Sequence, residues 1–243
     1  DEYALIKAVC DQYENVILII NAGGAIDMNF TEDFPNIKSI LYVAQPGQNG
    51  GPAIADILLG KVTPSGKLAA TWPLQYNDIP FAEEYSNLNG DLDYDYYKQG
   101  IFVGYRYFET FAKDKVQYPF GYGLSYTTFK YGKPSVEKAE LGRDDVLRVS
   151  FDLKNTGKCE GTEVAQLYVQ DRVGSVVRPV KELKRFERVT LAPGETRTVT
   201  FELPVAELAF WNIDMEYVVE PGDFRLWVAG DSASGEPVEF VVK

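Results

Sequence analysis

Among the side chains of this sequence that can carry out chemistry are carboxylates, tyrosines and two cysteines; histidine is absent. Without histidine the chain holds no Ser–His or Cys–His nucleophile pair, and the commonest zinc sets are excluded. In DLDYDYY the residues Asp91, Asp93 and Asp95 alternate like the first ligands of a calcium loop. The glycine that such a loop needs at its sixth position is missing, and Phe102 stands where the closing glutamate belongs, so a solvated loop is the favoured reading. PGQNGG, ahead of a helix-like run, resembles a phosphate cradle but lacks the P-loop lysine and the GxGxxG spacing, and it reads as a tight turn. Asn29-Phe30-Thr31 is a glycosylation sequon that matters only in a secretory host. Cys10 and Cys159 fit neither a metal spacing nor a redox CxxC, and are expected to be unpaired, partly buried thiols.

The chain that must position these groups has 243 residues, long for one domain and comfortable for two, and its 45% hydrophobic content with 16 Tyr and 14 Phe is globular. A formal charge of −12 repels phosphate, which disfavours nucleic acid or an anionic membrane as a partner. No apolar run approaches the roughly 20 residues that span a bilayer. The start, DEYALIKAVC, is amphipathic without the basic flank of a signal peptide, and reads as mid-domain.

Along the chain the style changes near residue 130. Residues 2–14 suggest a helix, and VILII (Val16–Ile20) is an unalternating apolar run of the kind found in strands buried on both faces. SILYVA leads through PGQNGG into the helical PAIADILLG, with Pro52 suited to a first turn and Gly60 to a C-terminal cap, giving the β-loop-α order of a doubly wound sheet. Residues 75–100 form a polar, tyrosine-rich excursion. YPFGYGLSYTTF, Tyr118 to Phe129, has five rings and two glycines without helix or strand period and reads as a packed corner. From Asp145 onward Leu147, Val149, Phe151 and Leu153 alternate with polar residues, and the later segments repeat the pattern between turn signals, predicting about seven antiparallel strands in a sandwich. Trp211 and Trp227 are expected to pack in the core or along an edge rather than to stack on carbohydrate.

These blocks carry a specific resemblance. GGPAIADILLGKVTPSGKL, GYRYF, PFGYGLSYTTF, KNTGKCEGTEVAQLYVQD and RPVKELKRFERVTLAPGETRTVTFEL together resemble the C-terminal half of glycoside hydrolase family 3 over nearly the whole chain. The resemblance implies β-glucosidases and β-xylosidases built from a TIM-like barrel, an α/β sandwich domain and a fibronectin type III-like domain. The expected fold is therefore α/β plus all-β: a partial α/β sandwich domain with a doubly wound sheet over residues 1–128, a linker over 129–144, and a fibronectin type III-like antiparallel β-sandwich over 145–243.

The implied chemistry is retaining glycoside hydrolysis, in which two carboxyls about 5 Å apart act as nucleophile and acid/base. In such enzymes the nucleophilic aspartate comes from the barrel, and the acid/base glutamate from a loop shortly before the segment matching ALIKAVCDQYENVILIINAGG. Neither matches a position here, so no catalytic residue is assigned and no cofactor or metal is expected. The expected function is that of the C-terminal portion of a retaining β-glycosidase acting on terminal β-linked sugars of oligosaccharides or glycosides. Its barrel and acid/base loop lie outside this chain, which is inactive alone. Tyr94, Tyr96 and Tyr97 are the candidate substrate-binding residues, able to flank a pocket mouth and stack on a sugar; the competing reading packs them onto their own domain. A non-catalytic carbohydrate-binding module or a structural protein of fibronectin-like domains stays open as the alternative, and the compartment and the sugar specificity are left open.

Overall fold

A computed structural model describes residues 2–243, with side chains at all positions but 86 and 87. Two units partition the chain: Asp1–Val62 with Trp72–Asp95, and Thr63–Thr71 with Tyr96–Lys243. By style the sequence divides near 128 and 145; by contact, residues 63–71 and 96–128 group with the strands that follow them.

In the first unit, helix α1 (Glu2–Cys10) precedes strands β1 (Val16–Ile20) and β2 (Ile37–Tyr42), which pair in parallel. The Asn36 side-chain amide donates to the carbonyls of Cys10 and Tyr13 at 2.7 and 2.6 Å, tying the end of the helix to the start of β2. Burial of β1 on both faces is not what forms. Ile20 is buried, but Ile17 and Ile19, with Ile40 on β2, are exposed, because the described elements do not cover both faces of this two-stranded sheet. Helix α2 (Gly50–Leu58) follows the PGQNGG segment, which is a tight turn: Gly47 has φ +68°, and a Cβ at Gly50 would strike the Pro46 ring. The helix ends as its sequence predicts. Gly60, at φ +70°, donates to Ile57 O and Lys61 donates to Asp56 O, both at 2.9 Å, in the paired pattern by which glycine satisfies the last carbonyls of a helix. Met28, Phe34, Trp72 and Ala82 form the small interior, with Trp72, on the two-residue strand β3 (Trp72–Pro73), edge-on to Tyr42 at 5.2 Å. Residues 76–89 then wind through three short 3-10 turns.

The second unit opens with helix α3 (Tyr105–Phe111) and strand β4 (Val116–Tyr118), and continues with β5 (Phe129–Tyr131), β6 (Ser135–Val136), β7 (Glu140–Leu141) and β8 (Val146–Asn155). Strands β9 (Gly161–Asp171), β10 (Glu182–Leu191), β11 (Thr196–Pro204), β12 (Phe210–Trp211), β13 (Tyr217–Val218), β14 (Gly222–Ala229) and β15 (Val238–Val242) complete it. One sheet runs β10-β9-β14-β15-β7; the other runs β11-β8-β5, with β6 also on β8. The alternation of β8 is as expected: Leu147, Val149, Phe151 and Leu153 face inward with Val199, Phe201 and Leu203 of β11, and form one core with Leu167, Phe224, Leu226 and Phe240 of the other sheet. Strand number and sense depart from expectation, since residues 129–141 add three short strands and β7 pairs with β15 in parallel.

Asn155, at the end of β8, is fully buried, with all its hydrogen-bonding capacity used. Its side-chain amide donates to Cys159 O (2.8 Å) and to Leu191 O (2.9 Å) at the end of β10, in the opposite sheet, while its Oδ1 accepts from Thr127 Oγ1 (2.5 Å) and Gly157 N (3.0 Å). The YPFGYGLSYTTF corner packs in the same unit. Phe120 stacks on Tyr105 at 4.8 Å, and Tyr105 meets Tyr168 of β9 edge-on at 5.8 Å. Gly121, at φ +82°, donates to Leu68 O at 2.8 Å and lies against the Gln166 side chain, while Gly123 abuts the Gly66 carbonyl. Both cysteines are free and partly buried, as expected.

Two substitutions test this reading by chemical denaturation. Asn155→Ala strands the Leu191 carbonyl of the opposite sheet together with Cys159 O, Gly157 N and the Thr127 hydroxyl, and should cost about 3 kcal/mol or more. Gly121→Ala combines a disfavoured φ with a collision against a buried side chain and should cost about 2 kcal/mol or more. Parent-like stability of either variant would overturn the corresponding account.

Candidate functional site

The tyrosines chosen from sequence lie at the end of the 75–100 excursion. Asn89 Nδ2 donates to Tyr94 O at 2.9 Å, and Asp91 Oδ1 accepts from the backbone N–H of Asp93 (2.9 Å) and of Tyr94 (3.2 Å). Asp91 thus turns onto its own backbone, as short polar side chains do in Asx turns. Tyr94 belongs to the first unit; Tyr96 and Tyr97 open the second. All three rings are exposed, Tyr97 to 90%.

Charged groups cluster elsewhere, within the second unit. Glu109 of α3 is buried; its Oε1 accepts from Ser232 Oγ at 2.9 Å, and Lys113 Nζ lies 3.8 Å from its other oxygen. Burial raises the Glu109 pKa above the ordinary glutamate value, against the opposing pull of Ser232, Lys181 and Lys113. Lys181, also buried, donates to the carbonyls of Ser232 (2.6 Å) and Ser234 (3.0 Å) and faces the rings of Trp227 and Tyr168, while desolvation lowers its pKa. Arg106 stands 4.0 Å from the Glu182 carboxylate. A second network ties residues 63–71 to β9: Lys67 Nζ lies 3.1 Å from Glu163 Oε1, which also accepts from the Tyr131 hydroxyl at 3.0 Å. Burial and the adjacent carboxylate push the Tyr131 phenol far above its usual value. Asp171 is likewise raised by burial, with Arg178 partly offsetting it. These carboxyls are built into packing networks rather than set facing one another across a cleft, which is not the arrangement of a nucleophile with an acid/base.

Two family models match the chain: the glycosyl hydrolase family 3 C-terminal domain over residues 1–126, and a fibronectin type III-like domain over residues 163–232. The chain belongs to glycosyl hydrolase family 3. It is 42% identical over 229 residues to thermostable beta-glucosidase B of Acetivibrio thermocellus, an alignment covering 94% of this chain and 29% of the relative. It is 36% identical to a beta-xylosidase of Formosa agariphila, covering 96% of this chain and 30% of that protein. Among solved structures, a beta-glucosidase from Paenibacillus barengoltzii matches all of the chain and 28% of its own length, with a TM-score of 0.89 at 34% identity. The chain therefore spans about 30% of the length of the family 3 relatives it matches. The α/β-plus-sandwich fold read from the blocks is that of the family.

What sequence reasoning missed is the exposure of Trp211. Trp227 is buried as expected, but Trp211 is 60% exposed, with its ring centroid 5.5 Å from that of the equally exposed Tyr217. The period-2 pattern does not distinguish a central strand from a projecting hairpin, and the Gly- and Pro-poor segment WNIDMEY carries no strong turn signal to mark one.

The Glu109 network has a definite pH signature. Because its folded-state pKa is raised, its contribution to stability is complete below the ordinary value of 4.5 and is lost as pH rises through the folded value. Glu109→Gln keeps an acceptor for Ser232 and removes the titration. Melting temperatures across roughly pH 4 to 8 should show a flatter profile in the variant, its advantage over the parent growing with pH; parallel profiles would show that Glu109 does not titrate in this range.

Proposed function

We propose that the chain serves as the C-terminal portion of a retaining β-glycosidase that removes terminal β-linked sugars from oligosaccharides or glycosides, with nucleophile and acid/base supplied by parts of a longer protein outside this chain. The observation that carries the reading is the co-linear match of one continuous chain to about 30% of proteins named as beta-glucosidase and beta-xylosidase. The partner implied is a barrel domain. Residues 1–128 are assigned to the α/β domain, 129–144 to the connection and 145–243 to the fibronectin type III-like domain, a division supported by the spans of the two family models.

Tyr94, Tyr96 and Tyr97 are assigned to sugar contacts beyond the bond that is cut. Their exposure supports this, because an apolar ring left in water on an irregular loop is available to stack on a ligand.

Purified alone, the chain should release no nitrophenol from an aryl β-glucoside above a buffer blank; turnover would overturn the proposed division of labour. In the longer protein, Tyr96→Ala and Tyr97→Ala should each raise KM for an oligosaccharide roughly threefold or more, while kcat on the short aryl glycoside stays near the parent value. An unchanged KM would remove these rings from the substrate path.

A further inference from the structure

Strands β12 and β13 form a hairpin outside both main sheets, pairing Phe210 with Val218 and Trp211 with Tyr217. Its inner side is anchored: Phe210 is buried, with the Arg178 guanidinium 4.7 Å from its ring centroid. Its turn is stapled by Asn212, whose Oδ1 accepts from the N–H groups of Asp214 (3.0 Å) and Glu216 (2.9 Å). Ser175 donates to both carboxylate oxygens of Glu220 and accepts from Ile213 N, fixing the hairpin to the 172–178 loop. Met215 holds φ +61°, a conformation costly for a residue with a side chain, which a hairpin free to relax would give up. The outer side of this braced turn presents Trp211 and Tyr217 as neighbouring rings tilted 53° to each other, each 60% exposed, so that they form an angled rather than a flat surface.

We propose that Trp211 and Tyr217 form a stacking platform for the pyranose rings of a neutral polysaccharide. The face of a pyranose carries C–H groups that suit an aromatic face, and its hydroxyls need acceptors near by. The exposed turn residues Asp214 and Glu216 supply them. Charge selects the class of ligand. FWNIDMEYV contains two carboxylates and no basic residue, on a chain of net charge −12, so uronate, sulfate and phosphate groups are repelled. A second copy of this acidic chain is disfavoured by the same repulsion. Bracing of the two rings before any ligand arrives lowers the ordering cost of binding. The platform does not depend on the Tyr94–Tyr97 loop contacting substrate, and the two are tested separately.

The chain has three tryptophans, of which Trp72 and Trp227 are only 5% and 8% exposed, so ligand-dependent emission reports on Trp211. Titration with cello-oligosaccharides should change the fluorescence saturably, and native gels cast with soluble mixed-linkage β-glucan should retard the parent chain while polygalacturonate does not. Trp211→Ala and Tyr217→Ala should each weaken glucan retention about tenfold at unchanged melting temperature, with Phe186→Ala, an exposed ring on β10, as the parent-like control. The proposal fails if glucan does not retard the parent, if polygalacturonate retards it equally, or if Trp211→Ala is retarded like the parent. It also fails if sedimentation shows a parent dimer that Trp211→Ala dissociates without any change in glucan retention.

Discussion

The sandwich closes on a single buried amide. A side chain that reaches from a strand of one sheet to a carbonyl of the other is worth little as a set of hydrogen bonds, because water offers the unfolded chain the same bonds. Its effect is to make wrong arrangements expensive: if the end of β8 slipped against β10, the Leu191 carbonyl, the Cys159 carbonyl and the Thr127 hydroxyl would lose their partner together. Because Thr127 sits in the aromatic corner, the register that Asn155 enforces extends past the sandwich to the segment packed against it. Apolar burial drives the two sheets together, and the amide selects the alignment in which they meet.

The charged networks follow the same logic. Lys67 and Glu163 are both largely withdrawn from water, where an ion pair gains little over an apolar pair of similar shape, yet loses heavily if one member is removed. Glu109, Ser232 and Lys181 hold α3 to the strand ends in the same way, and the opposite directions in which burial moves Glu109 and Lys181 mark the cost of that placement. A catalytic carboxyl needs solvent or substrate access on one side. Glu109, raised by its burial, has surrendered that access to packing.

What could be read from sequence, and what could not, divides by range of interaction. The inward face of β8 was legible because its period of two is a local property, and the end of α2 was legible because a positive φ at Gly60 is a demand on one residue. β1 was legible as a strand but not as a half-exposed one: an apolar run states what a residue would gain from burial, not how many neighbours arrive to bury it. Trp211 and Trp227 sit in similar short apolar contexts and end in opposite environments, which only the pairing of their strands decides. The partnership of Lys67 with Glu163, 96 positions away, leaves no local trace. The tyrosine loop drew notice because polar stretches rich in rings are conspicuous, and the exposure of its rings is a matter of three-dimensional placement.

The path of the backbone between the two units has a bearing on heredity. The chain passes from one unit to the other after Val62, returns after Thr71 and leaves again after Asp95, so three peptide links join them. A module attached by one link can be copied into another gene by a single recombination event and arrive whole. Here a breakpoint before residue 96 would leave behind the nine-residue loan from the first half, and with it the lysine that neutralises Glu163. Descent with both halves together is thereby favoured over exchange of either one.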